Sequence, residues 1–217
     1  MKPRVRLGVV CLVVLINAVG ARLTSAQDTG PEFERQNRVA DLVRLLGAGP
    51  GALIADVGAG DGAFTVPIAR AVAPSGRVIA VDISEAALNK LRDRMSREKV
   101  GNVDVVAGAA DDPHLPAGQF DGVLIHNAYH EMTEHEAMLR HVREALKPSG
   151  HFVVVEPLHD SSRGLPRDRQ VANHDIEPGI VDEELRSAGF EIIERDDAFI
   201  TFTSVAGGFW LIVAGVR

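Results

Sequence analysis

The stretch Ala52-Leu53-Ile54-Ala55-Asp56-Val57-Gly58-Ala59-Gly60-Asp61-Gly62 decides the fold. Residues 52–57 are a short, largely apolar run that predicts a buried strand. The glycines after it allow a tight turn and let a ligand approach backbone N–H groups at a helix start. Val78 to Val81 predicts a second strand, which ends in Asp82 roughly 20 residues beyond the turn, placed to accept hydrogen bonds from both hydroxyls of a ribose. Turn and acid together point to an adenosine-type ligand at the carboxyl edge of a sheet. The bland alternative is an ordinary strand-to-helix turn.

Outward from this stretch, helical and strand patterns alternate. Val39, Leu42, Val43 and Leu46 recur at helical spacing, and Gly47 and Gly49-Pro50-Gly51 end that helix. Pro67 fits the next helix only in its first turn. Ser84 predicts an N-cap for a helix through Leu88, Leu91 and Met95. Strands are expected over 103–107, 120–125 and 152–155, the last preceded by a Lys147-Pro148-Ser149-Gly150 turn. Thr133 and Glu136 have capping-box spacing before a helix carrying Met138, Val142, Ala145 and Leu146. A short helix over 182–188 and strands over 190–195 and 210–216 complete the chain. Apolar strands separated by helices predict an α/β fold with a mostly parallel sheet and helices on both faces. The final two strands lack an intervening helix, so the last strand is expected to be antiparallel.

The 217 residues, 46% hydrophobic and 24% charged, suit one α/β domain and exclude a disordered, collagen-like or disulfide-stapled protein. Lys2, Arg4 and Arg6 precede an apolar run from Leu7 to Ala21, followed by Thr24-Ser25-Ala26. This order describes a secretory signal peptide over 1–26, leaving a domain over 27–217. An uncleaved anchor is the alternative, although the run is short for a membrane span. Cys11, the only cysteine, lies inside that run after two valines, unlike a lipid-attachment site. Residues 1–26 hold four of the 23 basic residues and none of the 30 acidic ones. That leaves 19 against 30, a formal net charge of −11, which argues against nucleic acid as a partner. Without cysteine, residues 27–217 have no thiol nucleophile, thiolate metal site or disulfide.

Gly58-x-Gly60-x-x-Ala63 also satisfies the G-x-G-x-x-A form of a dinucleotide fingerprint. Asp56 points elsewhere: an acid there suits a cation better than a pyrophosphate. S-adenosylmethionine carries both a sulfonium and an ammonium group.

Four motifs in order carry a resemblance: Asp56 to Gly62, Val81-Asp82-Ile83-Ser84, Phe120 to Leu124, and Leu146 to Gly150. With them the chain resembles class I S-adenosylmethionine-dependent methyltransferases over residues 34–217. Within that family it is most similar to small methyltransferases with an Asn-Ala-Tyr-His-Glu stretch, here Asn127 to Glu131. The resemblance implies a Rossmann-like sheet, S-adenosylmethionine as cofactor and a small-molecule acceptor. It places Gly58 and Gly60 at the methionine part, Asp82 at the ribose and Ile83 against the adenine. Asp111 or Asp112 either accepts from the exocyclic amine or caps the following turn. Asn127 is expected at the same cofactor edge.

Methyl transfer from a sulfonium is an in-line displacement that depends mainly on positioning. His130 is the expected base, since its unperturbed pKa suits proton transfer near neutrality; packing beside the next helix is the competing reading. Tyr129, the only tyrosine, and His174 are further catalytic candidates, and His126 reads as a core histidine. His130-Glu131 followed by His135 misses the H-E-x-x-H pattern by one residue, so no metal is expected. No G-x-S-x-G elbow and no Asn-Pro-Pro-Tyr motif occur. Residues 157–178 lack a period and read either as a substrate-covering loop or as a solvated connector. Two other functions fit the same residues: an exported non-catalytic protein that binds an adenosine ligand, and a nicotinamide-dependent oxidoreductase. Export is tested by N-terminal sequencing of the secreted or periplasmic fraction. The chain is expected to begin at Gln27; a chain that keeps residues 1–26 contradicts cleavage.

Overall fold

A computed structural model describes residues 31–203 and 205–216. The expected signal peptide lies outside the described residues, as does the start of the 27–217 domain. Helices α1 (Pro31–Gln36) and α2 (Val39–Leu45) precede β1 (Leu53–Val57). A helix as short as α2 does not persist alone in water. It is held by burying Val39, Leu42 and Leu45, each worth about 1.5–3 kcal/mol when removed from water. Next come α3 (Thr65–Val72), with Pro67 in its first turn, β2 (Arg77–Asp82) and α4 (Glu85–Glu98). Ser84 caps α4 as expected, its Oγ accepting from the Ala87 N–H at 3.3 Å. Strands β3 (Val103–Ala107) and β4 (Phe120–His126) lead to α5 (His135–Ala145) and β5 (Leu146–His159). Helices α6 (Arg167–Ala172) and α7 (Pro178–Ser187) precede β6 (Phe190–Thr201) and β7 (Gly207–Val216).

The seven strands form one sheet in the order β3-β2-β1-β4-β5-β7-β6. Strands β1 to β5 pair in parallel, whereas β7 is antiparallel to both neighbours. Alternate residues serve opposite faces. Ala55, Val57, Val123 and Ile125 pack with residues of α5 and α7; Ile54, Leu124 and Val153 pack with α2 and α3. Burial on both faces is why these strands read as continuous apolar runs. Among the described residues, no helix is long and apolar enough to cross a membrane.

Four local expectations are corrected. Helix α5 starts at His135, and its N-cap, Glu134, makes no side-chain capping bond. A 3-10 turn over Tyr129–Glu131 occupies the approach, and Thr133 lies on a cavity wall instead of capping. The Lys147–Gly150 turn is absorbed into β5 as a register shift against β4. Residues 157–178 are ordered by side chains: Asp175 accepts from His159 N and Nδ1 and from Ser162 Oγ, while Gln170 bonds Glu177 N and Leu165 O. Helix α6 lies within this segment, and α7 starts at Pro178 instead of Asp182.

Asp56 fastens α3 to β1. It is 2% exposed and accepts a 2.5 Å hydrogen bond from Thr65 Oγ1. Burial pushes its carboxyl up to about 6, against the Thr65 bond and with a further push from the Asp82 charge. A carboxyl whose folded pKa is raised stabilises the fold while protonated, and that contribution is lost as pH rises from about 4 through about 6. At about 1.36 kcal/mol per unit the loss is about 3 kcal/mol. In urea unfolding from pH 4 to pH 7, wild type is expected to lose about 3 kcal/mol relative to Asp56→Asn. A pH-independent difference contradicts this.

Candidate functional site

At the end of β1, the Gly58 and Ala59 N–H groups both donate to Val81 O, at 2.8 and 2.9 Å, folding the turn over β2. Gly58 has φ 76°, and a Cβ on it would lie 2.5 Å from the Ala128 Cβ. Only glycine lets the chain after β4 close against this turn. The Gly60 N–H donates to Asp82 Oδ2 at 2.9 Å, and the Ser84 N–H to Oδ1 at 2.8 Å. Asp82 is thereby fixed at the carboxyl end of β2, and each of its oxygens keeps a lone pair for a ligand hydroxyl. Beside it Ile83 is 70% exposed, an apolar slab at the rim of a cavity.

That cavity, of about 300 Å³, is lined on this side by Gly58, Gly60, Asp82 and Ile83. Ala109, Ala110 and Pro113 form a second wall, and Asn127, Ala128 and Glu131 to Thr133 a third. Its size falls at the small end of the range for small-molecule pockets. Asp111 is exposed and Asp112 half-buried, and neither lines it. Instead Asp112 caps its own turn, its carboxylate accepting from His114 N at 2.7 Å and its carbonyl from Ala109 N at 2.7 Å. The flat wall behind is Ala109-Ala110. Asp56 sits outside the lining too, held by Thr65.

The third wall is shaped by Glu156, which the sequence reading missed. Its side chain is fully buried on β5. Oε1 accepts from the Ala128 and Tyr129 N–H groups, both at 2.7 Å, and Oε2 contacts His130 Nδ1 at 2.6 Å. A carboxylate accepts, so Nδ1 carries the hydrogen and Nε2 faces the other way. Burial opposes a charged His130, but the Glu156 bond and charge, joined by Glu131 and Asp175, hold its pKa above the ordinary histidine value. The available signal was an acid closing an apolar strand at the sheet's carboxyl edge, as Asp82 does. Asn127, next to this segment, is exposed and left-handed (φ 53°), with its N–H donating to Val155 O at 2.8 Å.

Tyr129 needs a different role from the expected catalytic one. Its ring is fully buried, and its hydroxyl donates to Glu184 Oε2 on α7 at 2.7 Å. Burial and the Glu184 charge push the phenol far up. It bolts the turn to α7, away from the cavity. His126 stacks on Phe64 with ring centroids 3.9 Å apart, and burial lowers its pKa to about 3, consistent with a neutral packing residue. His135 turns toward Glu184, 3.4 Å from Nε2.

His174 comes to the cavity's edge from the turn after α6. Its Nδ1 lies 3.7 Å from Glu131 Oε1, and its ring meets that of His130 edge-on at 5.6 Å. The structure therefore gathers Gly58, Gly60, Asp82, Ile83 and Asn127 around one cavity, with His130 and His174 meeting beside Glu131. Asp56, Asp111, Asp112 and Tyr129 stay outside it.

A family profile described as a methyltransferase domain matches residues 54–150. The ubiquinone/menaquinone biosynthesis C-methyltransferase UbiE of Hydrogenovibrio crunogenus is 33% identical over 115 residues, covering 52% of this chain and 45% of that protein. The chain thus spans about half the length of the curated relatives it matches. Among solved structures, a SAM-dependent methyltransferase from Aquifex aeolicus shares the fold with a TM-score of 0.71 at 18% identity, covering 87% of this chain and 95% of that one. Phosphoethanolamine N-methyltransferase 2 of Haemonchus contortus, solved with S-adenosyl-L-methionine, has a TM-score of 0.65 at 17% identity, covering 84% and 52%. With the strand order and the glycine turn, these matches show a methyltransferase domain over residues 54–150 and the fold of S-adenosylmethionine-dependent methyltransferases.

Proposed function

We propose that the chain transfers a methyl group from S-adenosylmethionine, bound in this cavity, to a small-molecule acceptor. The observation that carries this reading is the charge of the walls. Among the described residues, the only charged ones lining the cavity are Asp82 and Glu131, and both are acidic. A pyrophosphate finds no cation there, whereas a sulfonium and an ammonium find complementary charge. The reading puts the ribose hydroxyls on Asp82, the adenine across Ile83 and the methionine part along Gly58, Gly60 and Asn127.

The methyl group then points toward the edge where His130 and Glu131 stand. Alignment of acceptor, methyl carbon and sulfur can supply about 7–11 kcal/mol of the barrier, and the turn beside it is held by three hydrogen bonds to Glu156. The family match ends at Gly150, ahead of the segment that carries His174. Acceptor choice is therefore assigned to residues 157–178, which lie beyond the family match.

Titration calorimetry tests the reading. S-adenosylhomocysteine is expected to bind, and NAD is not. Ile83→Ala should weaken S-adenosylhomocysteine about fivefold through lost apolar contact, without changing Tm because the side chain is exposed. Asp82→Ala should cost more than about tenfold. NAD binding without S-adenosylhomocysteine binding, or wild-type affinity in both variants, contradicts the assignment.

A further inference from the structure

Glu131 stands between two histidines that come from distant parts of the chain. Its Oε1 is 3.8 Å from His130 Nε2 and 3.7 Å from His174 Nδ1. One ligand atom from each of the three residues lies within 4.8 Å of the others. Metal–ligand bonds of about 2.1 Å at tetrahedral angles put ligand atoms about 3.4 Å apart. Closing to that spacing needs only small movements, and the side chains that must move are the open ones: Glu131 is 67% exposed and His174 75%.

His130 does not need to move. It is 3% exposed, with Nδ1 held by the buried Glu156 carboxylate at 2.6 Å. A carboxylate on the far ring nitrogen is the arrangement that orients a metal-binding histidine and fixes its tautomer. We infer that His130, Glu131 and His174 form a site for a first-row divalent cation at the edge of the cofactor cavity. Two imidazoles and one carboxylate favour zinc, iron, cobalt or nickel over magnesium or calcium.

The site's use in catalysis rests on the function proposed above; its occupancy by a cation does not. Glu131 also lines the cavity, so an ion on it stands where an acceptor oxygen can reach it. Coordination lowers the pKa of a bound hydroxyl, whose proton leaves to water. The acceptor class this favours is a small molecule with an ionisable oxygen.

The test uses the full chain without a histidine tag, stripped with EDTA and titrated calorimetrically with zinc chloride. The expected result is uptake of one equivalent in the micromolar range. Glu131→Gln and His174→Ala, both at exposed positions, should each weaken uptake at least tenfold with unchanged far-UV circular dichroism. Cobalt(II) should give visible d–d bands in wild type that both variants lose. No stoichiometric uptake, or equal uptake by wild type and both variants, overturns the site and leaves the three residues as plain ion pairs. S-adenosylhomocysteine titrated into the same samples separates the two ideas. Its binding without zinc uptake removes only the cation site; zinc uptake without its binding supports the site and removes the methyltransferase reading.

Discussion

The Glu156 carboxylate and its three donors hold the site together. Taking a carboxylate out of water costs several kcal/mol unless its lone pairs are engaged. Here Ala128 N, Tyr129 N and His130 Nδ1 engage them at 2.6–2.7 Å. The same bonds tie the end of β5 to the turn after β4. They press Ala128 onto Gly58, aim His130 Nε2 outward and leave Tyr129 facing α7. Remove the carboxylate and two buried amides lose their partner together.

The sheet explains why this happens at one place. Strands β1, β2 and β3 run one way from the centre, and β4 and β5 the other, so the order reverses between β1 and β4. Ligands in open α/β sheets sit outside the carboxyl ends at such a reversal. Asp56, Asp82 and Glu156 lie at or toward the carboxyl ends of three of these strands, with different duties. Asp82 and Glu156 organise backbone amides at the cavity, while Asp56 pins a helix beneath it. Of the three only Asp82 lines the cavity, where Glu131 is the second acid.

Much of the fold was legible because it depends on near-neighbour chemistry. The glycine turn, the Ser84 cap, Pro67 in a first helical turn and the apolar strands each follow from residues a few positions apart. The site was legible only where side chains are tied to strand ends, as with Asp82 and Ile83. Adjacency misled at Tyr129: successive residues of a 3-10 turn point about 120° apart, so Tyr129 reaches α7 while His130 stays at the cavity's edge. Asp111 and Asp112 carry the right chemistry for an amine, but Asp112 is drawn into its own turn. The order in 157–178 was invisible because Asp175 and Gln170 supply it through side-chain bonds that have no period. The meeting of His130 with His174 depends on that order.

Hydrogen exchange at the Ala128 and Tyr129 amides, in wild type and Glu156→Ala, tests the bracing most directly. With the carboxylate present both amides should be protected. In the variant they should exchange at least about tenfold faster, as expected when a buried donor loses its acceptor, while Val123 to Ile125 on β4 stay protected. Equal protection in both proteins would show that something other than Glu156 holds the turn, and the account of the site would fail.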